Sequence, residues 1–265
     1  MLGDRRRIPW VIDGPFLREL LTAGLPVAVN TLSSQTLQRG VNVILGITAG
    51  THAVGIFNLA MRIIDLPRTA FYNGLMSYAL PAFARRSAEP SRLIGFIFDS
   101  TAISCFLLTP IFIGIAVTAD DIVLLISGAK WADAIPLLQV LACTAAIGNT
   151  AMYATTALVA VNRTHLTLKA EVGTTLLALA LVYGLGSLYG GMAAALALLL
   201  RMLIVTPLQI RGLDTAIGSG WRAFFTSSYR SVTASLVMAA AVLWLAPLPQ
   251  VQGVVPLTCS IRLRA

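Results

Sequence analysis

Charge is what this sequence has least of. Only 11% of its 265 residues are Asp, Glu, Lys or Arg, while 57% are apolar and the mean hydropathy is +0.82. A soluble globular domain is about 25% charged, so an ordinary water-soluble fold is excluded and a bilayer is the solvent. Histidine and cysteine are equally scarce. His52 and His165 lie far apart, which argues against a histidine-based catalytic centre. Cys105, Cys143 and Cys259 have neither paired nor metal-ligand spacing, so no disulfide framework or zinc site is implied. Gly-rich phosphate loops are missing too, and no inside loop offers a paired acidic motif, which leaves no cofactor or metal to expect and little support for enzyme chemistry. The net charge of +8 would suit nucleic acid in a polar protein. Here too little hydrophilic chain separates the apolar runs to build such a surface, and the basic excess needs another cause.

That cause is topology. Seven stretches meet the requirement of roughly 20 mainly apolar residues, at about 20–49, 53–79, 93–117, 134–161, 167–188, 190–212 and 229–248. The bilayer leaves no partner for unpaired backbone groups, and no ten-residue alternation of a barrel is present, so the expectation is an all-α polytopic bundle of about seven spans. Residues 1–19 form a basic segment, 20–248 the helical lobe and 249–265 a short tail. Arg5-Arg6-Arg7 is followed by Asp13-Gly14-Pro15 in place of an apolar core, which does not read as a cleavable signal peptide. With a cytoplasmic amino terminus, the inside segments and adjoining span ends hold twelve of the 19 Lys and Arg residues, and the outside loops only Lys130. This is the positive-inside pattern of a multi-pass protein of the cytoplasmic membrane. Pro26, Pro67, Pro110 and Pro136 predict kinked or tilted spans. The outside segment at 118–132 reads as a short interfacial helix begun by Asp120 and Asp121 and closed by Trp131 at the headgroup level. Gly220 to Phe225 forms a second interfacial piece. Gly184, Gly186 and Gly190-Gly191 mark the turn between the fifth and sixth spans, and the alanines of spans four to six suit close packing.

Charges inside spans carry the functional information, since each costs about 2.5–3.5 kcal/mol at a helix centre unless it meets a partner or water. Arg39 and Arg62 each lie about eleven residues from the turn at Gly50-Thr51, or about 16 Å below the outer end and near the midplane. Arg62, Asp65 and Arg68 recur every third residue on one broad stripe. Pro67 within it frees the carbonyl of Ile63. Guanidinium forks suit phosphate and carboxylate oxygens, so Arg39, Arg62, Asp65 and Arg68 are candidates to line a cationic, water-filled cavity. The alternative is structural: Arg62 pairs with Asp65, Arg39 meets a carbonyl and Arg68 snorkels. Arg201 in the sixth span is a further cavity candidate, with interhelical pairing as its alternative. Asp65 and Asp99 are the candidates for a coupling ion. Glu89 and Glu171 read as isolated.

The residues of the first hairpin resemble a known family. Gln38-Arg39-Gly40, Val54-Gly55-Ile56-Phe57-Asn58-Leu59-Ala60-Met61-Arg62, Leu66-Pro67 and Leu80-Pro81-Ala82-Phe83-Ala84-Arg85, followed by Gly128-Ala129-Lys130-Trp131-Ala132, are similar to the carboxy-terminal lobe of Wzx-type oligosaccharide flippases of the multidrug/oligosaccharidyl-lipid/polysaccharide exporter superfamily. The resemblance runs from about Leu17 to Pro249. It implies one lobe of a MATE-like two-lobe transporter that moves undecaprenyl-diphosphate-linked oligosaccharide across the bacterial inner membrane for O-antigen, lipopolysaccharide or related polysaccharide synthesis. Arg39 and Arg62 would hold the diphosphate. The partners implied are that lipid-linked glycan, membrane lipids and a second lobe, from another chain or a second copy; no nucleic acid is expected. Many relatives carry an acid just before the first arginine, where this chain has Gln38. Three other readings remain: a MATE-type antiporter lobe for cationic drugs, whose cavity would favour acids; a truncated remnant; and a membrane enzyme of envelope polysaccharide synthesis, which would need a large catalytic loop.

The charge asymmetry makes a direct prediction. In a cysteine-free background, a membrane-impermeant thiol reagent labels Lys130→Cys from outside intact cells and Lys169→Cys only after permeabilisation; the reverse pattern overturns the orientation.

Overall fold

A chain this apolar satisfies its backbone within each segment, and the computed structural model is accordingly helical throughout its described residues, which are 14–86, 90–161 and 163–218 with 233, 234 and 237. The elements in order are α1 (Gly14–Arg86), α2 (Pro90–Val117), α3 (Ala119–Ser127), a single 3-10 turn (Ala129–Trp131), α4 (Ala134–Asn149), α5 (Met152–Ala160), α6 (His165–Tyr189) and α7 (Gly191–Ile217). The expected last span at 229–248, the interfacial piece at 220–225, the basic residues 5–7 and the tail lie outside the described residues, apart from three isolated helical positions.

The first two expected spans form one element. Its apolar part, Gly24–Phe71, is 48 residues long. Straight, it would reach about 72 Å, more than twice a hydrocarbon core of about 30 Å. Gly50 resolves the mismatch with φ 83° and ψ 173°, a region open essentially to glycine alone. The chain folds back on itself there. A straight helix would separate Gly46 from Val54 by about 12 Å, yet a Cβ on Gly46 would stand 3.6 Å from the Val54 side chain. Both arms then contribute to one apolar core, the first through Leu37, Val41 and Leu45, the second through Ile56, Phe57, Ala60, Ile63 and Ile64.

Helix α6 lies between α1 and α7, and α4 packs against α2 and α7. The expected alanine packing is present. Ala178 in α6, Ala193, Ala194, Ala195 and Ala197 in α7 and Ala142 in α4 are all buried, letting backbones approach closely. A second apolar cluster joins Ile97 of α2, Tyr153, Ala154 and Leu158 of α5, and Ile210 and Leu213 of α7. At the Gly50 end α3 covers the core with Ala119 and Val123, places Asp120 and Asp121 in its first turn and leaves Leu125 and Ile126 exposed. Trp131 packs back onto Gly55. Among the described residues, α1, α2, α4–α5 taken together, α6 and α7 are long and apolar enough to cross a membrane, and the reversal at Gly50 divides α1 into two arms.

Two sequence-level expectations change. The helices run through their prolines: α1 departs from helical dihedrals only at Gly50, α2 runs through Pro110, and Pro136 sits in the first turn of α4, where its missing N–H costs nothing. The fourth span breaks instead at Thr150 and Ala151. There the N–H groups of Thr150 and Ala151 donate to Ile147 and Gly148 in tightened three-residue turns, and the Thr150 hydroxyl competes for the Ile147 carbonyl at 2.8 Å. Finally, Gly184 and Gly186 belong to α6 rather than to the turn, which Gly190 makes alone with φ 54°.

Gly186 has a different task. It faces Thr48 of α1, and a Cβ there would collide with Thr48 Oγ1, while the Thr48 hydroxyl donates to the Ile44 carbonyl at 2.8 Å. Gly173, on the same helix, has open space around it. Gly186→Ala therefore lowers the melting temperature of the purified protein in detergent, whereas Gly173→Ala leaves it unchanged or raises stability by up to about 1 kcal/mol. Equal shifts for the two variants would refute close α1–α6 packing.

Candidate functional site

The arm of α1 before Gly50 has three faces. Ser33, Leu37, Val41 and Leu45, four residues apart, turn inward; Ser33 Oγ donates to Thr175 Oγ1 of α6 at 3.0 Å and the three apolar residues join the core. Leu25, Leu32, Val43 and Ile47, all at least 60% exposed, form a second stripe suited to hydrocarbon. Between them runs a polar stripe. Thr31, Gln35 and Gln38 are exposed and Asn42 half-buried at positions i, i+4, i+7 and i+11, with Ser34 and Arg39 on its flanks. The arm after Gly50 repeats the pattern. Asn58, Arg62 and Thr69 are exposed and Asp65 half-buried at the same spacing, opposite the buried seam of Ile56, Ala60, Ile63 and Ile64.

Arg39 and Arg62 are thus both exposed, at about 16 and 18 Å from Gly50 by helical rise. Neither has a carboxylate partner among the described residues. Asp65 pairs with Arg68, not Arg62: Oδ1 stands 4.0 Å from Arg68 Nη1 with both side chains partly exposed, a contact worth little by itself. Asp99 is exposed on α2, near the opposite end of the bundle from Gly50.

Arg201 is elsewhere. It is buried, 8% exposed, in an ion pair between α7 and α6: Nη2 donates to Glu171 Oε2 at 2.5 Å, and Gln209 Nε2 donates to Glu171 Oε1 at 2.5 Å. The interhelical alternative is the observed one, and Glu171, which looks isolated in the sequence, is its partner. Arg201 lies about 15 Å from Gly191, at a depth like that of Arg39 and Arg62, but inside the lobe where those two are outside. Its Nε makes no hydrogen bond. A further buried polar group sits at the α4–α5 break, where Ser104 Oγ donates to the Tyr153 hydroxyl at 2.9 Å and Asn149 Nδ2 donates to the Ser104 carbonyl at 3.1 Å. At the Gly50 end a cleft of about 400 Å³ opens among Ala53, Leu137, Tyr189 and Gly190. His52 Nε2 and Asp133 Oδ2 flank it 3.9 Å apart, both well exposed.

A profile of the polysaccharide biosynthesis protein family matches residues 3–136, half of the chain. The chain belongs to that family. The match takes in both arms of α1 with Arg39, Arg62, Asp65 and Arg68, then α2 and α3, and stops at the start of α4, before Glu171 and Arg201. Teichuronic acid biosynthesis protein TuaB of Bacillus subtilis (strain 168) is 31% identical over 115 residues, which are 42% of this chain and 24% of that protein. The matched region thus spans about a quarter of the curated relative's length. No solved structure matches. The chain is a multi-pass membrane protein of that family.

Sequence reasoning passed over two features. The amides and hydroxyls from Asn30 to Asn42 were visible as a polar run inside an apolar span, and their spacing shows one stripe. Arg201 stood out as a charge inside a span, but nothing local named Glu171 as its partner, because 30 residues and the turn at Gly190 separate them.

Burial makes the Glu171–Arg201 pair sensitive to loss of one side alone. Glu171→Ala strands the Arg201 guanidinium in a dry interface and costs about 3–5 kcal/mol, and Glu171→Leu with Arg201→Met recovers most of it. Thermal unfolding of wild type, Glu171→Leu, Arg201→Met and the double variant in a double-mutant cycle measures the coupling; additive losses would show that the pair is not formed.

Proposed function

We propose that this protein is a lobe of a flippase that carries a lipid-linked, diphosphate-bearing oligosaccharide across the bacterial cytoplasmic membrane, with Arg39 and Arg62 holding the diphosphate. The observation that supports this reading is the exposure of two guanidinium groups at one depth on the α1 hairpin, in a span whose other exposed stripe is apolar. Hydrocarbon is no neighbour for an unpaired arginine, so this face borders water and a second lobe. What fills such a cavity is anionic, because Arg39, Arg62 and Arg68 outnumber Asp65 on the two arms. Two guanidinium forks offer the geometry that a diphosphate accepts. The apolar stripe beside them gives the polyprenyl chain a lipid path while the head group stays wet.

Family membership and the name of the relative in teichuronic acid biosynthesis bear on the same reading, since polysaccharide precursors made inside a cell have to cross its membrane. The charge asymmetry orients the lobe with Gly50 and α3 outward and the amino terminus in the cytoplasm. A transported substrate needs no bond made or broken; the lobe supplies binding, and rocking against a second lobe supplies access. Arg201, held by Glu171, keeps α6 and α7 together as a rigid wall behind the hairpin.

In the full-length protein, Arg39→Ala and Arg62→Ala each lower export of lipid-linked glycan by about ten- to a hundredfold, as loss of charge-assisted hydrogen bonds worth about 1.5–3 kcal/mol implies, without changing membrane insertion. Lysine at either position restores part of the activity, having the charge but not the fork. Normal export by the double alanine variant, measured as surface polysaccharide, would refute the assignment.

A further inference from the structure

The polar stripe of α1 holds more than arginine. Gln35 and Gln38 are exposed, and neither amide has a hydrogen-bond partner among the described residues. Each offers two donors and an acceptor. Thr31 and Ser34 donate their hydroxyl hydrogens to their own helix, to the Val27 carbonyl at 3.0 Å and the Asn30 carbonyl at 3.1 Å, which leaves oxygen lone pairs pointing outward as acceptors. From Gln38 the stripe runs away from Gly50, reaching Thr31 about 10 Å farther along. It carries no charge over that length. Two unpaired amides facing hydrocarbon would each cost about 2–7 kcal/mol, so these groups face water or a polar ligand. The exposed leucines and valine of the same arm take the lipid side instead.

We infer that Thr31, Ser34, Gln35 and Gln38 form a track for the sugar hydroxyls of the lipid-linked glycan, adjoining the diphosphate site at Arg39. This rests on the diphosphate reading and assigns a separate part of the substrate to separate residues. The chemistry fits a neutral, hydroxylated ligand. A sugar hydroxyl donates to the Thr31 or Ser34 oxygen and accepts from a glutamine amide, whereas an anion would find only the amides and a cation only the oxygens. Successive polar positions lie one helical turn, about 5.4 Å, apart, close to the advance of one ring along an extended glycan. Because the track leads from the arginines toward the end opposite Gly50, a glycan bound from the cytoplasm lies along it with its diphosphate at the midplane.

The test uses the full-length protein in lipid nanodiscs and two probes, farnesyl diphosphate and farnesyl diphosphate linked to N-acetylglucosamine. Wild type binds the glycosylated probe about tenfold tighter. The Gln35→Leu/Gln38→Leu variant binds both probes with the affinity wild type has for the bare one, and Gln35→Asn/Gln38→Asn regains part of the preference. Leucine keeps helix propensity and suits the bilayer, and Gln35→Ala/Gln38→Ala repeats the measurement with less bulk. A sugar preference that survives in both double variants overturns the track. So does an equal loss for both probes, which would mark the stripe as a contact with the second lobe, and so does a wild type that does not distinguish the probes. The diphosphate reading fails by a different result, unchanged affinity of Arg39→Ala/Arg62→Ala for the bare probe.

Discussion

Hydrocarbon offers no hydrogen bonds, and this one constraint sorts every face of the described lobe. Backbone groups are satisfied inside helices. Large apolar side chains such as Phe106, Leu188 and Leu203 can face outward without cost, which is why the exposed surface is rich in them. A polar side chain has only three places to go: into the protein beside a partner, along its own helix, or onto a surface that meets water. Thr48 and Thr101 take the second course, bonding carbonyls one turn back. Glu171, Arg201 and Gln209 take the first. Arg39, Arg62, Gln35 and Gln38 do neither and stand exposed on α1.

The two kinds of arginine in the lobe show how the same charge serves different ends. Around Arg201 the desolvation of a cation is offset by a carboxylate whose second oxygen is also occupied, so the group is locked between α6 and α7 and contributes to the wall. Around Arg39 and Arg62 no such offset exists within the described residues. Their guanidinium groups are exposed at the surface of the described lobe. Depth along the membrane does not distinguish the three; the side of the helix on which each stands does.

The hairpin that carries this face depends on two glycines with different physical roles. Gly50 admits a backbone conformation that a side chain would strain, and the reversal brings both arms into one core. Gly186 admits the close approach of α6 to Thr48, which sets α1 against the bundle. The Ser33–Thr175 hydrogen bond fixes the same contact farther along. With the seam of Ser33, Leu37, Val41 and Leu45 committed inward, helical geometry alone turns Gln35, Gln38 and Arg39 outward.

Much of this was legible in the amino-acid order. Low charge and long apolar runs determine a helical membrane protein, because no other backbone arrangement is satisfied in lipid. The lopsided Lys and Arg distribution carries an expectation of its orientation, and three- and four-residue spacing shows the Arg62–Asp65–Arg68 stripe. Local pattern could not say that Asp65 pairs with Arg68, that the fourth span breaks at Thr150 without a proline, or that Gly186 is a contact and not a turn. It said least about Glu171. A carboxylate 30 residues from its guanidinium becomes a buried pair only when α6 and α7 pack, since partner choice in a dry interface depends on which faces meet. The sequence by itself determined the solvent, the helices and which residues are costly there; only tertiary packing decided which of those residues are satisfied within the protein and which stay exposed.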